Sequence, residues 1–263
     1  MDTKLQDRVA LVCGASRGIG RACATSLARE GARLVICARS EKPLVAAADA
    51  IAAQTGATVL PVVCDVDEPA QLDALVAAAI ARFSALDILV TNVAHPKMGR
   101  FSALSEDDWH KGFKTLFLPT LRLMRLALPH MQAAGWGRIV HIASTAIKEP
   151  STVYLLSGVF RAAIASMSKS VAAEYGRHGI RVNTICPGLF RTPLGESIMR
   201  DIAQRDGASL AEVEARLAAQ TVVDRIGEPE QLASLVTFLC SEAAGHITGQ
   251  VISIDGGKGK GLF

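Results

Sequence analysis

The sequence predicts one α/β domain over residues 1–263: a doubly wound sheet of seven parallel strands with helices on both faces, plus a small helical lid at 193–226. Three observations carry this. Short apolar runs of strand length alternate with Ala- and Leu-rich stretches of helical length along nearly the whole chain. The first run, Val9 to Cys13, opens straight into a glycine turn, which leads into a helix and a second strand. Half of the residues are apolar and 20% are charged, enough to bury a sizeable core without staples.

Composition also narrows the function. A net charge of +3 with no basic run and no aromatic-basic interleaving gives nucleic acid nothing to bind. The six cysteines, at 13, 23, 37, 64, 186 and 240, form no C-x-x-C pair and read as reduced small hydrophobes, so neither a disulfide framework nor a metal site is expected. The polar start MDTKLQDR is not a signal region, and no stretch approaches the roughly 18 apolar residues of a membrane helix. A cytoplasmic protein with no membrane partner is the expectation.

The glycine turn comprises Gly14, Ser16, Arg17, Gly18, Ile19 and Gly20. Glycines there let the backbone approach a pyrophosphate, while the helix start offers unpaired N–H groups and a partial positive charge. The second strand, Arg33 to Cys37, ends at Ala38, where an NAD-binding unit places a carboxylate for the ribose hydroxyls. Arg39 and Ser40 follow, and Arg17 can reach the same space; unless these arginines are merely solvated, they suit a 2′-phosphate and hence NADP(H).

Further along, a helix over 41–54 precedes a strand over 57–64 that ends in Asp65-Val66, where Asp65 either faces the ligand or caps the helix at 69–83. A buried strand over 87–91 leads to Asn92, Ala94 and a loop holding His95. Ser105 starts a helix with an acidic first turn, and a long apolar helix covers about 112–134. Then come a strand over 139–143 closing on Ser144, an apolar helix over about 151–177 and a strand over 179–185. Residues 193–226 break the alternation; with a capping box at Ser209 and Glu212 they read as two short helices joined at Asp206-Gly207, a candidate substrate lid. A helix over 228–240 and a strand over 250–254 complete the chain. The two long helices, apolar on more than one face, suggest burial against another subunit.

The spacing G-x-x-x-G-x-G and the run CGASRGIG resemble the short-chain dehydrogenase/reductase family, whose turn commonly reads TGASRGIG, and the resemblance extends over essentially the whole chain. In overall pattern it is similar to 3-oxoacyl-carrier-protein reductases. The resemblance implies a Rossmann-type fold, a small carbonyl/alcohol substrate and a homodimer or homotetramer. It also implies adenine contact by Asp65 and Val66, ribose contact near Asn92 and Ala94, and nicotinamide contact by Pro187, Gly188 and Thr192. Ala94 departs from the glycine of the family's Asn-Asn-Ala-Gly.

The family's chemistry requires a hydroxyl donor at the substrate oxygen, its pKa drawn toward neutrality by a fixed cation. Ser144 matches the family's serine, but Ser157 stands where tyrosine is expected, Arg161 where lysine is expected and Leu116 where asparagine is expected. Arg161 can still anchor a ribose, yet a pKa above about 12 would exclude it from proton transfer. Tyr154, three residues before Ser157, is the leading substitute acid, with His95 and Lys148 on neighbouring loops behind it, unless Tyr154 only packs at the helix start and His95 is a plain loop histidine. The expected function is therefore an NADP(H)-dependent oxidoreductase with an altered site. A non-catalytic NADP(H)-binding protein or partner subunit, or a non-redox enzyme on the same fold, are the alternatives.

Overall fold

Seven of the apolar runs become strands: β1 (Val9–Cys13), β2 (Arg33–Ala38), β3 (Val59–Val63), β4 (Ile88–Thr91), β5 (Gly137–Ile142), β6 (Ile180–Pro187) and β7 (Val251–Ile254). The computed structural model describes residues 2–93 and 95–261. All described strand pairs are parallel and the order is β3-β2-β1-β4-β5-β6-β7. β1, β4 and β5 are buried along their whole length because helices cover both faces, which is why they read as continuous apolar runs. Pro61 is tolerated because β3 is an edge strand.

Helices α1 (Gly18–Arg29), α2 (Glu41–Thr55) and α9 (Pro229–Cys240) supply one core through Leu27, Leu44, Ile51 and Leu232. On the other face α3 (Pro69–Phe83), α5 (Leu118–Ala134) and α6 (Leu155–Tyr175) pack through Leu72, Leu75, Leu123, Met131 and Ala172. The chain runs outward from β1 to β3 and then returns to place β4 on the other side of β1. That reversal opens a crevice at the carboxyl ends of β1 and β4, where open α/β sheets bind ligands.

Apart from shifts of a residue or two at element ends, two helix boundaries and one cap differ from the sequence reading, each for a local reason. The long helix predicted over 112–134 is continuous with α4 (Glu106–Gly112) through a π-helical turn, Phe113–Phe117. Pro119 has no N–H to close an α-helical bond onto that turn, and one residue further on the Thr120 hydroxyl donates to the Leu116 carbonyl at 3.1 Å. The helix predicted from residue 151 begins at Leu155, because the Ser151 hydroxyl accepts from the N–H groups of Val153 and Tyr154 and holds them in a turn. Asp65 does not cap α3: Glu68 is the N-cap residue, and the Asp65 carboxylate accepts from the Asp67 N–H at 3.1 Å. The predicted lid helices are present as α7 (Pro193–Asp206) and α8 (Leu210–Ala218), with left-handed Gly207 ending the first and the Ser209–Glu212 capping box starting the second.

Thr91, His141 and Thr184 lie side by side on β4, β5 and β6 and are all buried. His141 Nδ1 shares a 2.7 Å hydrogen bond with the Thr91 hydroxyl, and burial drives its pKa from 6.5 down to about 3. The folded protein thus binds this proton far more weakly than the unfolded chain. As pH falls below 6.5, His141 withdraws stability at up to about 1.4 kcal/mol per pH unit, levelling near pH 3. Urea denaturation at pH 4 to 7 should show a shallower pH dependence for His141→Asn than for the unaltered chain; equal slopes would contradict the assignment.

Candidate active site

The crevice is built from the start of α1 upward. Gly14 has φ +61°, and a Cβ there would stand 2.8 Å from the Asn92 carbonyl oxygen, so only glycine lets the turn touch the end of β4. A Cβ on Gly20 would run into the Gly14 carbonyl, so this glycine sets the close packing of α1 on β1. Arg17, the N-cap residue of α1, is extended and makes no side-chain cap, and no acidic residue occupies the first turn. The N–H groups and positive end of the helix dipole therefore meet no carboxylate of their own helix.

In front of this turn lies a cleft of about 710 Å³. Its walls bring together most of the residues predicted to hold a cofactor: Gly14, Ser16, Arg17, Gly18 and Ile19 of the turn, Arg39 and Ser40 after β2, Asp65 and Val66 after β3, Asn92 after β4, and Thr192. Arg17 and Arg39 form no ion pair among the described residues. Burial and the neighbouring Asp65 raise the Asp67 carboxyl above its ordinary range, while Arg39 and Lys114 act in the opposite sense. Gly20, Pro187, Gly188 and Arg161 are not on this wall; Ala94 lies outside the described residues. Gly188 instead packs against β7's end, where a Cβ would sit 2.9 Å from Asp255 Cα. Sequence reasoning missed Ser197 and Arg200, which α7 adds to the cleft. A more open concavity of about 780 Å³ at the amino ends of β1 and β2, lined by Lys4, Gln6, Arg33 and Thr58 among others, holds none of the predicted site residues.

The residues predicted to be catalytic lie toward β5 and α6. Ser144 is the N-cap of a 3₁₀ turn, Thr145–Ile147, and its hydroxyl accepts from the Ala146 N–H at 3.2 Å. Ser157 and Arg161, one turn apart on α6, are both buried, and Leu116 is fully buried within the π-helical turn. Arg161 donates from a terminal guanidinium nitrogen to the Ile142 carbonyl of β5, two residues before Ser144. Burial lowers the Arg161 pKa to about 10, opposed by Cys186. That is below the value expected from sequence, yet the group still stays charged at neutral pH.

Tyr154 is not part of the helix that carries Ser157 and Arg161; it is the N-cap residue, bridged to Gly99 of the loop after β4. Burial raises its phenol pKa, with Arg205 only partly opposing, so its proton is held more tightly than an activated phenol's. His95 meets it edge to face, ring centroids 5.9 Å apart and planes at 81°. His95 Nδ1 lies 2.9 Å from the Pro96 carbonyl; because a carbonyl only accepts, Nδ1 carries the hydrogen and Nε2 is left with the lone pair. Although the residue as a whole is exposed, crowding of its ring lowers the pKa below 6.5, against the Pro96 hydrogen bond, and the Arg161 charge adds to the lowering. These residues comprise a serine hydroxyl, a buried cation tied to β5 and an imidazole whose pKa is lowered.

The family described as Enoyl-(Acyl carrier protein) reductase matches residues 14–258 of the chain. A short chain dehydrogenase/reductase of Aspergillus oryzae is 34% identical over 255 residues, covering 96% of this chain and 95% of that protein. L-sorbose reductase of Gluconobacter frateurii, solved with NADPH and L-sorbose, superposes with a TM-score of 0.95 at 33% identity, covering both chains completely. A variant of actinorhodin polyketide ketoreductase solved with NADPH gives a TM-score of 0.92 at 30% identity, covering 98% of this chain and 100% of that one. With the glycine turn, strand order and crevice already described, these likenesses establish that the chain belongs to the short-chain dehydrogenase/reductase family of oxidoreductases.

Proposed function

We propose that the protein is an NADP(H)-dependent oxidoreductase acting on a small carbonyl/alcohol pair, with His95 beside Tyr154 exchanging the proton that the family usually assigns to a tyrosine. The observation that carries the cofactor reading is the cleft, where Ala38 occupies the position at which an NAD-binding unit keeps a carboxylate and Arg17, Arg39 and Ser40 line the wall around it. The uncapped start of α1 and these unpaired guanidiniums match a pyrophosphate and a 2′-phosphate. The NADPH complexes of two similar enzymes support the same choice.

Bound in this cleft, the nicotinamide supplies or accepts the hydride. The Ser144 hydroxyl, held at the end of β5 by its capping role, donates to the substrate oxygen. Arg161 is tethered to β5 through Ile142, and its fixed charge favours negative charge developing on that oxygen. His95 Nε2 takes the proton from an alcohol, or as imidazolium returns it to a reduced carbonyl. Tyr154 fixes the ring by its edge contact, and its raised pKa keeps the phenol protonated throughout. α7 and α8 form the lid over the substrate side.

The same reading includes self-association. Phe113 and Val159 are exposed large apolar residues on the π-helical turn and α6, beside a cluster in which Phe113 stacks on Phe117 at 5.4 Å and Trp109 meets Phe160 at 6.1 Å. A homodimer or homotetramer would cover them. A reducing, cytoplasmic setting suits the six free, buried cysteines.

Reduction of a carbonyl panel with NADPH deuterated at C4 should place deuterium on the product carbinol carbon; turnover without label transfer would contradict hydride chemistry. For alcohol oxidation, kcat/KM should rise with pH and reach its plateau by neutral pH, because His95 must be unprotonated and its pKa lies below 6.5. His95→Gln should flatten that limb and cost about 10²-fold or more in rate. An unchanged profile would remove His95 from the mechanism. In light scattering, Phe113→Asp with Val159→Asp should yield monomers; an unaltered mass would place the interface elsewhere.

A further inference from the structure

We infer that lid helix α7 is itself part of the phosphate site, with Arg200 and Ser197 holding the pyrophosphate of the dinucleotide opposite the glycine turn; this rests on the cofactor reading above. Leu194, Ser197 and Arg200 recur every three residues, so they share one side of α7, and all three line the cleft. The opposite side is committed to packing: Gly195 and Met199 are buried, and a Cβ on Gly195 would strike the Phe190 carbonyl. The helix therefore turns the side that carries Leu194, Ser197 and Arg200 to the cleft.

Its position relative to the turn selects the pyrophosphate. α7 starts directly on the glycine turn, since a Cβ on Gly18 would stand 3.4 Å from Thr192 Cβ and 3.8 Å from Pro193 Cδ. Thr192 anchors that start by accepting from the Gly195 N–H at 3.0 Å. Arg200 lies roughly 12 Å along the helix from Thr192, and helical side chains lean back toward the N-terminus, so its long side chain recovers about half of that span toward the turn. Arg39 and Ser40, by contrast, stand at the end of β2, where the ribose phosphate belongs.

Charge points the same way. Further along, Arg205 and Arg216 both pair with Asp206, at 2.8 and 2.6 Å. Arg200 has no ion-pair partner among the described residues, although it is exposed on the cleft. A guanidinium so placed suits two adjacent phosphates by charge and by geometry. The far end of α7 brings Arg205 near enough to Tyr154 to act on its phenol, so the helix spans from the cofactor to the catalytic half. Closing Arg200 on the pyrophosphate would draw the substrate lid with it.

The test is isothermal titration of NADPH and of NADH into the full-length protein, with no turnover required. Arg200→Ala should weaken both nucleotides by about tenfold, leaving their ratio within twofold, because the lost contact is common to both. Arg200→Lys should recover part of that loss, and Ser197→Ala should weaken both to a smaller degree. Arg39→Ala serves as contrast: it should weaken NADPH far more than NADH. Arg200 is on an exposed helix face, and unchanged melting temperatures would show that the variants fold. Affinities within twofold of the unaltered chain in Arg200→Ala, or a loss confined to NADPH, would overturn the inference. Failure of the unaltered chain to bind either nucleotide at millimolar concentration would instead remove the cofactor reading on which it rests.

Discussion

The structure depends on how closely α1 approaches the end of β1. Gly20 permits the approach, Gly14 turns the chain with its left-handed backbone, and the absence of a Cβ at Gly14 lets Asn92 close on the same point from β4. One contact thereby fixes the helix N-terminus, the crevice at the strand reversal and the spacing of the first and fourth strands. Any side chain at either glycine would push α1 outward and disperse the N–H groups that face the cleft. The start of α7 rests on Gly18 of this turn, so even the lid takes its position from it.

The region between β5 and α6 is organised around a different constraint, a buried guanidinium. Removing a cation from water is costly unless hydrogen bonds and neighbouring dipoles replace the lost hydration. Arg161 meets that demand in part through the Ile142 carbonyl, which ties its charge to β5 and so to Ser144. The lowered pKa of about 10 expresses the remaining cost, and the charge persists at neutral pH. Its reach is visible in His95, whose proton affinity Arg161 helps to lower. Leu116, in the π-helical turn, and Ser157, on α6, are both buried. In the mechanism we propose, proton exchange would shift from α6 to the loop after β4.

Most of the fold was legible because it rests on local patterns: buried strands as apolar runs, glycines at turns that need them, and capping residues such as Ser209 with Glu212. The cleft at the glycine turn was legible for the same reason, since turn and strand-end residues are contiguous in sequence. Ser197 and Arg200 were not, because only the packing of α7 on Gly18 carries them to the cleft. The π-helical turn left only the missing N–H of Pro119 as its signal, and the delayed start of α6 only the Ser151 hydroxyl. The placing of Tyr154 outside the helix and against His95 arises from the bridge to Gly99, a contact between segments some 55 residues apart. Burial likewise moved Arg161 and Tyr154 away from their solution pKa values, which no spacing of residues reveals.

The most direct measurement is a crystal structure with NADP⁺ and an alcohol substrate bound, reading the groups around the oxygen of the carbon that faces nicotinamide C4. A proton exchanged by His95 requires its Nε2 to lie about 3 Å from that oxygen, or one water away, with the Ser144 hydroxyl on the same atom. Finding the oxygen in contact only with Ser157, Leu116 and other groups that hold no exchangeable proton near neutral pH would contradict it.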